Sequence, residues 1–61
     1  MKFSCKDLSF ISEAINLQML VYQKELAECN DEDRYSELAN DIYYLENLLV
    51  SIREELLNLQ S

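Results

Sequence analysis

The sequence has neither glycine nor proline in its 61 residues, and this absence constrains the fold more than anything else in it. With no proline to remove a backbone donor and no glycine to open the left-handed dihedrals, nothing strong interrupts a helix. The only local break is polar. Four acids, a cysteine and an asparagine fill the six positions from Glu28 to Asp33. The chain is therefore expected to be all-α, with two helices at about 4–29 and 32–59 joined by one turn.

The start of the first helix is marked by three agreeing residues. The Ser4 hydroxyl can accept from the Asp7 backbone N–H, and the Asp7 carboxylate can reach back as a shortened capping-box acid. Phe3 and Leu8 then occupy the hydrophobic-staple positions.

Apolar spacing identifies the buried faces. Tyr35, Leu38, Ile42, Leu45, Leu49, Ile52, Leu56 and Leu59 alternate steps of three and four, which makes a heptad seam. Leu8, Ile11, Ile15, Met19, Tyr22, Leu26 and Cys29 form a similar stripe with one four-four step. If the chain reverses near residue 32, antiparallel neighbours carry numbers adding to about 64. Leu26 then meets Leu38, Tyr22 meets Ile42, Met19 meets Leu45, Ile15 meets Leu49, Ile11 meets Ile52 and Leu8 meets Leu56. Each large side chain so buried contributes ~2 kcal/mol, and a slip of one residue would break several layers together. An antiparallel two-helix hairpin follows.

The acidic cluster is read as the bend of that hairpin. Asn30 is suited to a left-handed helix cap, and Asp31 or a neighbour can cap the second helix, with Glu32 and Asp33 at its positive end. A calcium loop would need alternating oxygen ligands over about a dozen residues and a glycine at the sharp turn. This stretch offers neither.

Residues 1–61 are expected to form a single small domain whose core is thin for a chain standing alone. Twelve acids against five bases give a formal charge of -7, which disfavours direct nucleic-acid binding. Apolar residues make up 49% of the chain, too many for an acidic disordered tail. The longest apolar stretch, Met19 to Tyr22, is far short of the roughly 20 residues a membrane span needs, so a cytoplasmic location is expected.

No catalytic residue, metal ligand or cofactor is expected. Histidine is absent, so no Cys–His or Ser–His pair can form within one chain, and neither cysteine has a zinc-type spacing partner. No glycine-rich loop exists to hold a phosphate. Cys5 and Cys29 stand at opposite ends of the first helix, roughly 36 Å apart, so they are not expected to bridge. Tyr35 is expected to shield Cys29, leaving Cys5 the faster to react.

The sequence contains more apolar surface than one hairpin needs. Phe10, Ala14, Leu17 and Val21 form a second stripe more than about 100° from the first helix's main seam. Leu48, with Tyr44 beside it, falls on the same side of the hairpin. These residues are the expected association face. Tyr43, Val50 and Leu57 form another column on the opposite side, a second candidate face. One face could close a homodimer and the other receive a different protein, or both could serve in a tetramer.

Two resemblances bear on this. The outline of a short hairpin with heptad seams and an acidic turn is similar to the plasmid copy-number modulators that dimerise into a four-helix bundle. That family binds RNA through basic side chains, whereas Lys2, Lys6, Lys24, Arg34 and Arg53 are scattered here among acids. The run Ser36-Glu37-Leu38-Ala39-Asn40 resembles the Ser-Gln-Glu-Leu-Asp motif of sporulation-type aspartyl-phosphate phosphatases, without the glutamine and with asparagine in place of the final acid.

The expected function is that of a small, acidic, non-enzymatic interaction module. It would be an adaptor or regulatory subunit that pairs with itself, as a dimer or larger four-helix bundle, and with another protein. An acidic mimic of nucleic acid that occupies a basic groove is the alternative. A small helical phosphatase or phosphorelay regulator, implied by the second resemblance, is a further one.

Overall fold

A computed structural model describes residues 2–60. Two helices, α1 (Cys5–Glu28) and α2 (Glu32–Gln60), pack against each other as an antiparallel hairpin. α1 begins one residue later and ends one earlier than the spacing predicts, and α2 runs one residue further.

Both helix starts are closed by side chains. Ser4 Oγ accepts from the Asp7 N–H at 3.1 Å and Asp7 Oδ2 accepts from the Ser4 N–H at 3.0 Å, a reciprocal capping box. At α2, Asp31 Oδ1 accepts from the Asp33 N–H at 2.9 Å and from the Arg34 N–H at 3.4 Å. The acids Glu32 and Asp33 stand in the first turn of α2, where the exposed N–H groups favour negative charge.

The reversal itself corrects one expectation. Asn30 does not adopt a left-handed conformation, and no described residue has a positive φ. Instead α1 stops at Cys29, which is extended at φ -80° and ψ 128° while its N–H still donates to the Leu26 carbonyl at 3.3 Å. Once Cys29 has left the helix in an extended conformation and Asp31 has supplied the next cap, three linking residues make the turn without left-handed backbone.

The core lies along the helix–helix seam. Leu8, Ile15, Leu49 and Ile52 form one buried cluster, with Ile11, Met19, Leu45 and Leu56 packed on it half-buried. Nearer the bend, Leu38 and Ile42 are buried, and Tyr22, Leu26 and Cys29 are half-buried. The two ends of the α2 seam differ from the periodicity, because Tyr35 and Leu59 are both exposed. In the antiparallel register Leu59 is level with Cys5, the first residue of α1, so too little of the other helix faces it.

The hairpin is long and thin, 45 × 19 × 15 Å, with a radius of gyration of 14.0 Å against about 10.5 Å for a compact domain of this length. Its accessible surface is 4940 Å², whereas the size scaling gives about 4,100 Å² for a compact monomer of this mass.

Candidate interaction surface

Each helix of a hairpin has one neighbour, so it can bury only one stripe, and apolar residues elsewhere around its circumference meet solvent. Phe10 and Leu17 are 61% and 60% exposed. Val21 and Ala14 are exposed as well, and Leu48 is the least exposed of the large side chains in this group. At about 100° per residue the α1 stripe points about 130° away from the buried seam, on the same side of the hairpin as Leu48 and Tyr44.

The share of that side belonging to α2 is mixed. Glu37, Asp41 and Glu55 lie within the same sector as Tyr44 and Leu48. The share belonging to α1 is almost free of charge, since Glu13 is the sole acid or base between Leu8 and Gln23. Tyr43, Val50 and Leu57, one heptad apart, are exposed on the opposite side.

The sequence reading passed over Leu20, which is exposed and flanks the Leu17–Val21 part of the α1 stripe. Its signal was only positional, because Leu20 lies between the two α1 stripes and belongs to neither period.

Charge is divided unevenly between the helices. α2 carries seven acids and two bases, against four acids and two bases in α1. Arg34 joins the two helices near the bend, donating to Glu25 of α1 at 3.0 Å and to Glu37, one turn along α2, at 3.2 Å. The hydrogen bond that Arg34 donates to Glu25, then the one it donates to Glu37, raises the Arg34 pKa above its ordinary value. All three side chains are largely in solvent, so the pairs help align the bend rather than hold the fold.

The Ser36–Asn40 run does not assemble a site. Leu38 is fully buried, Glu37 is engaged by Arg34, and Ser36 borders an open depression at the bend with Cys29, Asn30, Asp31, Glu32 and Tyr35.

Both cysteines are free and half-buried. Tyr35, itself exposed, borders the same depression at the bend as Cys29. The Cys29 thiol donates to the Asp31 carbonyl at 3.2 Å. Among the described residues, no group of three or more His, Cys, Asp or Glu comes together to hold a metal ion, and no helix is long and apolar enough to cross a membrane. No family model, curated protein or solved structure matches this chain.

Proposed function

We propose that this protein is a non-enzymatic interaction module, a helical hairpin that pairs with a second copy of itself and offers its remaining surface to another protein. The observation that carries this reading is surface area. The chain exposes 4940 Å², about 800 Å² more than a compact monomer of its mass, and Phe10, Leu17, Leu20, Tyr43, Tyr44 and Leu57 are each at least 60% exposed on it. The apolar columns on both sides of the hairpin supply the part of it that association can desolvate.

Dimerisation also answers the thin core. A hairpin with six buried side chains among the described residues, of which Leu38 alone is fully buried, gains folded-state free energy when a copy binds only its native form. The unlike sides then divide the work. One closes the homodimer, and the other, with the acids of α2, stays available as the surface of an adaptor or regulatory subunit.

Sedimentation velocity over a concentration series tests this. The expected result is a dimer or larger at micromolar concentration, and a single monomeric species at high concentration would refute it. The acids of α2 favour a second reading, a nucleic-acid mimic in a basic groove. A native-cell partner released by moderate salt supports that mimicry, whereas one retained through high salt supports apolar contact.

A further inference from the structure

Resting on the self-association proposed above, we propose that the second copy packs on α1 alone, antiparallel to it, about a two-fold axis passing between Ile15 and Asn16. Phe10, Ala14, Leu17 and Val21 step by four, three and four, so the exposed face of α1 is a second heptad seam, separate from the one facing α2. The neighbouring positions of that seam are Asp7 on one end and Lys24 on the other.

Antiparallel self-pairing about that axis sets Phe10 opposite Val21 of the second copy and Ala14 opposite Leu17. Every layer joins a large side chain to a smaller one, so the layers fill evenly. The same register brings Asp7 to Lys24 of the second copy at both ends. Among the described residues Lys24 has no ion-pair partner in its own chain, and Asp7 uses only Oδ2 in the capping box, leaving Oδ1 without a hydrogen bond. Parallel pairing would instead stack Phe10 on Phe10 and Ala14 on Ala14, leaving uneven layers, and would set Asp7 against Asp7 and Lys24 against Lys24. The exposed ion pairs add little affinity, but opposed like charges select against the wrong orientation.

Two features assign the contact to α1 rather than to the whole side of the hairpin. The α1 seam points about 130° from the buried one, so a helix seated on it stands clear of α2. Stacking α2 on α2 in the same dimer would bring Asp41 close to Glu55 of the second copy, which repel. The dimer thus places its two α1 helices at the centre and its two acidic α2 helices outside.

Double electron–electron resonance tests the arrangement directly. In chains carrying Cys5→Ser and Cys29→Ser, nitroxides are attached one at a time at Lys6→Cys, Glu13→Cys or Ala27→Cys, three exposed positions of α1 outside the seam. At 1.5 Å rise per residue the proposed axis gives separations between copies along the helix of about 8 Å at position 13, about 29 Å at position 6 and about 35 Å at position 27. A short distance at 13, under about 20 Å for helices 8–10 Å apart, with steep rises toward 6 and 27, is the expected result. Equal distances at all three positions mean that the two α1 helices run parallel, as they also would if α1 lay antiparallel on the α2 of the second copy, and either overturns the proposal while leaving self-association intact. A minimum at 13 of about 20 Å or more means that the two α1 helices are not in direct contact and overturns it too. If no distance between copies is found at any position, no dimer exists, and the self-association reading fails with it.

Discussion

Truncating Leu38 to alanine should be the most damaging single change of its kind, and its size can be worked from burial. Leu38 is 0% exposed, while Leu57, on the outer face of the same helix, is 66% exposed. The change removes three carbons. At ~0.8 kcal/mol per buried methylene, full burial puts the transfer loss at ~2.4 kcal/mol for Leu38, and one-third burial puts it at ~0.8 kcal/mol for Leu57. A residual cavity raises the first figure further, within the ~2–5 kcal/mol range of core Leu→Ala changes. In a domain of this size each kilocalorie moves the melting midpoint by about 4–8 °C, so Leu38→Ala should lower it by about 10–20 °C and Leu57→Ala by about 3–6 °C. Circular dichroism melts at one fixed protein concentration provide the assay, because association couples the midpoint to concentration. Equal shifts for the two variants would refute the assignment of α2's inner and outer faces.

Leu17→Glu should abolish the dimer in sedimentation while leaving the monomer helical. Val50→Glu, on the opposite side, should leave it intact, and the reverse pattern would move self-association to the second face. Raising salt from low to molar concentration should preserve or tighten the dimer, because two copies each of charge -7 repel less when screened; dissociation with salt would mean that charge holds it. Ser4→Ala and Asp31→Ala each remove a helix cap and should each cost about 1 kcal/mol, read in thermal melts against the parent. Under mild oxidation the native monomer should form no Cys5–Cys29 bond, since the thiols lie at opposite ends of α1. Mass spectrometry of non-reduced tryptic digests checks this, and an intrachain crosslink would contradict the hairpin.

Local chemistry and periodicity carried the hairpin into the sequence. Ser4 with Asp7, and Asp31 or a neighbour among the acids of the bend, marked where the helices begin, because a cap depends on residues three or fewer positions apart. The twelve seam residues from Leu8 to Leu26 and from Leu38 to Leu56 are all buried or half-buried, because a spacing of three and four fixes one face of any helix. Tertiary structure decided what periodicity does not encode. Tyr35 and Leu59 have seam spacing yet remain exposed, because burial also requires the opposite helix to reach their level along the axis. Asn30 has the propensity for a left-handed cap, but extended Cys29 and the Asp31 cap complete the reversal without it. Leu20 fits neither stripe, and only its position beside the exposed face of α1 gives it a place. The sequence could count the surplus apolar residues, but it took the packed hairpin, where each helix has a single neighbour, to show that they stay in solvent.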